Sequence, residues 1–319
     1  GGFTASADSK IENIILRNNS SEILGKGYNL IIGRGVNGYN STYCAASISG
    51  YNSSNTSISA AQNYSIRVES GSFKYMSLLV YGESTVVFSN KITVKGTLGC
   101  DYDRAKGSDG LLSIDEVYGS RRMRCSSSTN QDNMTYSFNV KSGTINDQFY
   151  LGCNLHFNNG ETCYYGKRKM IIEGGTFKEK IVGGLDMDAV SDETSDVVYF
   201  RIFGGTFLNR IYTAANTYDG IGARRLVFTG GTSYGWIAGG ALGTSTANGI
   251  LQGNTYLYFG GNAQCLYNSE NDQDFGSSKG GNIFGAGCGV ATNESAGRVD
   301  NSTVVVADNA EVARNVYGG

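Results

Sequence analysis

The sequence predicts an all-β chain wound as a right-handed parallel β-helix, a β-solenoid of about nine or ten coils. Three observations predict it. A glycine-marked block recurs roughly every 30 residues. The apolar runs within each block are too short for helices of ordinary length. The chain has 46 glycines and no proline, which suits a fold whose every coil hydrogen-bonds to its neighbours, because proline brings no backbone donor.

The block reads apolar-x-apolar, a small residue, Gly, then Ser or Thr and an apolar residue. It stands at Val68-Glu69-Ser70-Gly71-Ser72-Phe73 and at Val140-Lys141-Ser142-Gly143-Thr144-Ile145. Four closer copies follow, with marker glycines Gly175, Gly205, Gly231 and Gly261 spaced 30, 26 and 30 residues apart. A second run closes each unit, as in Ile181-Val182-Gly183-Gly184, Ile237-Ala238-Gly239-Gly240 and Val316-Tyr317-Gly318-Gly319. Short runs of β-formers bounded by glycine read as strands. The glycines are expected at corners that require φ > 0 or close backbone approach. Phe73, Ile145, Phe177, Phe207 and Ala263 follow the corners and are expected to stack as one inward column. At about 4.8 Å per coil the rod is about 45 Å long.

Residues 1–64 are the least regular and are expected to form irregular N-terminal coils or a cap. Residues 65–319 are expected to be the β-helix repeats, degenerate at first and clear from Lys169. Inserts at 186–196, 268–279 and 291–301 are expected to project from one side. The sequence stops inside its strongest motif, so the repeats are expected to continue beyond this fragment, or its end to stack on a neighbouring subunit.

Charged residues make up 17% and the net charge is −2, which gives no electrostatic case for nucleic acid. No apolar run approaches the length of a membrane span. Seven cysteines include no pair at metal or redox spacing. Buried thiols are one reading; disulfides are the other, with Cys153 and Cys163 the nearest local pair.

Chemical motifs are sparse. Gly231-Thr232-Ser233-Tyr234-Gly235 matches a nucleophile elbow, but the one histidine, His156, precedes it and a repeat strand follows it. Gly33-Arg34-Gly35-Val36-Asn37-Gly38 matches a dinucleotide fingerprint, but no helix signal follows. Asp186, Asp188 and Asp192 form one acidic cluster, Asp272 and Asp274 the core of another. Such alternating carboxylates can gather Ca2+ ligands, and plain solvated loops are the simpler reading. No other cofactor is expected. Among the 21 tyrosines, outward-facing rings could form a strip that takes sugar, with Tyr212, Tyr234, Trp236 and Tyr256 as candidates. Packing in the core is the alternative for the same rings.

The Gly-Gly-Thr-Phe and Val-Tyr-Gly-Gly blocks resemble the repeats of right-handed parallel β-helix (pectin-lyase-like) surface and adhesin proteins of bacteria. The resemblance covers about 65–319. It implies an extracellular or cell-surface location and a non-catalytic role as an adhesin or stalk. The partner would be a polysaccharide or a host or cell-surface ligand. The same fold in enzymes implies a polysaccharide lyase or glycoside hydrolase, with the 186–196 carboxylates and Arg201 or Arg210 a faint echo of a lyase site. A filament subunit that self-associates end to end is the third expectation. Fold alone does not choose among them.

Overall fold

The computed structural model describes residues 2–16, 21–38, 46–51, 57–58, 62–80, 85–88, 91–101, 112–121, 124–125, 134–153, 163–164, 167–184, 193–217, 219–267 and 280–319. Among them the chain is a parallel β-solenoid of three strand columns, here called the first, second and third sheets. No helix is long and apolar enough to cross a membrane.

The first sheet begins with Ser9–Ile11, Leu30–Ile32, Gln62–Val68 and Ile92–Leu98, and reaches Val299–Val306. Its register column runs Ile11, Ile32, Val68, Leu98, Val140, Ile172, Ile202, Phe228, Phe259 and Val306, which makes ten parallel strands. The strands alternate because the solenoid has one interior: Tyr64, Ile66 and Val68 are buried while Asn63, Ser65 and Arg67 face out. The third sheet runs Phe3, Ile23, Ile48, Met76, Val117, Phe149, Ile181, Ile211, Ile237, Ile283 and Val316. The described strands before residue 65 therefore belong to the same columns as the rest, as coils of one stack.

Corner chemistry follows the expectation. Gly71, Gly143, Gly175, Gly205 and Gly231 have φ between +98° and +110°, a region that side-chain-bearing residues rarely enter. They join the first sheet to the second. The second column runs Phe73, Ile114, Ile145, Phe177, Phe207, Ser233, Cys265 and Val312. Ala263 does not belong to it, against expectation. The pairing register shifts between Phe228 and Gly230, so Gly231 faces Ala263 and Cys265 takes the slot. One extra residue in the later corner causes the shift; Ala263 is still buried.

The rings fill the interior by changing sides. Where the slot after the corner holds Phe177 or Phe207, the strand before it ends in Ile172 or Ile202. Where the slot holds Ser233 or Cys265, the strand ends in Phe228 or Phe259. The result is a continuous spine: Phe177–Phe207 at 5.0 Å, Phe207–Phe228 at 5.5 Å and Phe228–Phe259 at 5.2 Å. Each coil thus brings one large ring and one smaller side chain to the corner, which keeps the volume per coil level.

Buried polar groups tie the first sheet to the third across the interior. The Tyr64 hydroxyl donates to Leu78 O at 2.7 Å, the buried Arg168 Nη1 to Gly183 O at 2.7 Å and Thr255 Oγ1 to Gly285 O at 2.6 Å. Low surrounding polarity strengthens such bonds. Burial pushes the Cys265 thiol up to about 12, so it packs as a small apolar group and is an inert thiol at neutral pH. Cys100 and Cys265 are free thiols; the Cys163 side chain lies outside the described residues, and with it the Cys153–Cys163 pairing.

Candidate functional site

The sequence candidates separate in space. Tyr212 and Trp236 are fully buried and stack at 5.7 Å on the outer side of the third sheet. They belong to a second apolar layer with Tyr75, Tyr118, Tyr150 and Ala238, closed over by Leu242 and Cys288. Tyr212 donates its hydroxyl to Asn216 at 2.9 Å, and Leu242 bridges to Asn216 and Cys288. These two rings therefore present no face to a sugar, and the candidate strip that included them is corrected accordingly. The cause is the residues following the third sheet, which fold back over it. Tyr234 is half-buried at the corner after the second sheet, and Tyr256 is half-buried on the outer face of the first. Asp186, Asp188, Asp192, Asp272 and Asp274 lie outside the described residues as side chains, as does His156. Among the described residues no group of three acidic, His or Cys side chains is placed to hold a metal ion. Ser233 is buried within the strand Gly220–Ser233 and donates to Gly235 O at 3.2 Å, so the elbow-like motif is a strand end.

The outer face of the first sheet carries a different arrangement. Register places Lys169, Tyr199, Arg225 and Tyr256 in one column on successive coils. The Arg225 guanidinium lies over the Tyr199 ring at 5.8 Å and over the Tyr256 ring at 5.1 Å, and Lys169 Nζ over Tyr199 at 5.8 Å. The adjacent outward column adds Arg201, whose guanidinium covers Phe203 at 4.5 Å, and Tyr258. The Tyr258 hydroxyl donates to Asp308 at 2.8 Å. Cations thus occupy the ring faces, each contact contributing about 0.5–1 kcal/mol when exposed. What projects outward is a comb of ammonium, guanidinium and phenol donors on a rigid sheet.

A second polar line runs along the corner between the second and third sheets. It holds Asp115, Glu116, Asp147 and Glu179 among Lys74, Lys178, Lys180 and Arg210. Burial raises Asp115, Glu116 and Glu179 above the ordinary carboxylate range, and Asp147 adds repulsion to all three. Asn146 Nδ2 donates to Asp115 at 3.2 Å, and Asn209 Nδ2 to Glu179 at 2.7 Å, which offsets part of the rise. Arg210 sits at 5.9 Å over both Tyr212 and Trp236, so Arg201 and Arg210 serve different faces of the rod. This line escaped the sequence reading because its members come from three coils.

A carboxylate with a raised folded-state pKa binds its proton more tightly when folded. Stability then falls as pH rises through the window above the unfolded values. Glu179→Gln is therefore expected to raise Tm at pH 7, with the difference from the parent closing as the pH falls below the unfolded value of 4.5. A lower Tm for this variant at pH 7 would show that the Asn209 contact outweighs burial.

No protein-family model matches this chain, and no curated protein or solved structure matches it. Its chemistry therefore has to be read from its own faces. The first-sheet comb is the one exposed arrangement that repeats with the coil, and a ligand with its own linear repeat is the natural complement.

Proposed function

We propose that this chain is a non-catalytic binding solenoid of an extracellular or cell-surface structure, acting as an adhesin or stalk that holds an extended polysaccharide along its first sheet. The observation that carries the reading is the column Lys169, Tyr199, Arg225 and Tyr256, four donors on successive coils. Parallel strands spaced about 4.8 Å apart make it a straight, evenly spaced row. A polysaccharide presents hydroxyl acceptors at regular intervals, so one row of donors can meet many of them without a deep pocket. Rigid sheets hold such donors more accurately than loops do. The test is retardation of the protein in native gels cast with individual polysaccharides. Slowed migration in at least one extended polymer is expected, weakened in the double variant Tyr199→Phe, Tyr256→Phe, which removes only hydroxyls. Unaltered migration across the panel would overturn the reading.

The raised carboxylates Asp115, Glu116 and Glu179 favour one second reading, a polysaccharide lyase or glycoside hydrolase, since catalysis needs acids and bases with displaced pKa values. Reducing-end and unsaturated-product assays decide between the two. Turnover lost in Glu179→Gln would replace binding with catalysis.

A further inference from the structure

The geometry points to an anionic ligand: a linear polysaccharide bearing carboxylate or sulfate groups, laid parallel to the solenoid axis over the first sheet. This rests on the binding reading above and narrows it. On the inward-alternating stretches 168–172, 198–202, 224–228 and 255–259, the outward positions between the buried ones hold Lys169, Tyr199, Arg201, Arg225, Tyr256 and Tyr258 with Ile171 and Val227, and no carboxylate. The patch thus carries three cations, Lys169, Arg201 and Arg225, while the whole chain has a net charge of −2. A local excess of one sign on a chain of the other is what orients a charged partner to one face.

Two features favour an acidic glycan over a single-stranded nucleic acid. Base recognition of that kind uses free aromatic faces, and here Lys169 and Arg225 lie over Tyr199, and Arg225 over Tyr256. The ring edges and hydroxyls remain, and these suit sugar hydroxyls. The cations of the main column, Lys169 and Arg225, stand two coils apart, about 10 Å. That is the order of the disaccharide repeat of an extended glycan with one acid group on every second sugar. The planar guanidinium of Arg225 can accept a carboxylate or a sulfate through two parallel hydrogen bonds.

The test compares polymers that share one backbone. Carboxymethylcellulose and cellulose sulfate carry the two anionic groups; hydroxyethylcellulose is the neutral counterpart, and an oligo-dT strand is the nucleic-acid control. Affinity gels are run with the intact chain and with the double variant Lys169→Gln, Arg225→Gln. Both positions are exposed on the sheet, and circular dichroism with Tm confirms the fold of the variant. The expected result is retention by one or both anionic celluloses, weakened by added salt, and reduced about tenfold in the variant. The stronger of the two anionic arms identifies carboxylate or sulfate. Equal retention by the neutral polymer, unaltered in the variant, overturns the anionic assignment and leaves polysaccharide binding standing. Retention by none of the celluloses, with other neutral polysaccharides retained, has the same meaning; no retention by any polysaccharide ends both. Oligo-dT bound as tightly as the best cellulose, and lost in the same variant, replaces the glycan with nucleic acid.

Discussion

Phe177→Ala is expected to lower the unfolding free energy by about 3–5 kcal/mol, and Phe207→Ala by a similar amount. Both rings are 1% exposed and stack on each other at 5.0 Å with planes 15° apart. Removing either ring leaves a hole whose walls cannot close. Above and below, the coils are pinned by parallel hydrogen bonds, such as Thr206 N to Gly175 O at 2.9 Å and Leu208 N to Phe177 O at 2.8 Å. A relaxing wall would have to break these. Repeat stability is close to a sum of unit and neighbour terms, so the loss falls on the coils that hold the Phe177–Phe207 pair and on their interfaces. Denaturant titration with matched m-values measures it. An exposed control, Lys169→Ala, is expected to change stability by no more than about 0.5 kcal/mol. A loss below about 1 kcal/mol for either phenylalanine would mean that the spine does not hold the coils together.

The solenoid was legible because its constraints recur at fixed spacing. A corner that needs φ near +100° accepts glycine and little else, so Gly143, Gly175, Gly205 and Gly231 reappear at the coil period. The inward columns were legible for the same reason, up to the corner where Gly260-Gly261-Asn262 adds a residue and moves Cys265 into the slot expected of Ala263. No local pattern announces such a shift; the pairing of two coils sets it.

The site was less legible, for a physical reason. Tyr212 and Tyr256 are both tyrosines in strands, and the strand period alone does not say what lies beyond the outer face. Tyr212 is covered because Leu242 and Cys288, from residues outside the strands, fold over it; Tyr256 has only cations beside it. One signal was available. Lys169, Tyr199, Arg225 and Tyr256 stand 30, 26 and 31 residues apart, close to the spacing of the marker glycines, so aligning the coils by period brings them into one column. The acidic line at Asp115, Glu116, Asp147 and Glu179 was hidden because its neighbours in space are a coil apart in sequence and differ in residue type.

Gly183→Ala is expected to destabilise the rod by about 3 kcal/mol, at the upper end of the cost of overpacking. Gly183 has no positive φ, so strain in its own backbone is not the cause. A Cβ there would fall against the carbonyl oxygen, carbonyl carbon and Cα of Thr213 on the next coil. Those atoms are main chain and cannot swing aside. Gly183 N donates to Tyr212 O at 2.9 Å, and Gly184 N to Ala214 O at 3.1 Å, so opening a gap for the methyl would break the ladder on both sides of the contact. Gly318 occupies the same place in its own motif, after Val316-Tyr317, and a Cβ there meets nothing within 4 Å. Gly318→Ala is therefore expected to be neutral or slightly stabilising, since alanine also restricts the unfolded chain by about 0.4–1 kcal/mol. Thermal melts of the two single variants make the comparison. A large loss at Gly183 beside none at Gly318 shows that coil-to-coil contact, and no demand of the turn itself, is what keeps this position glycine. Equal tolerance at both would mean that the third-sheet corners stand farther apart than the hydrogen-bond ladder requires.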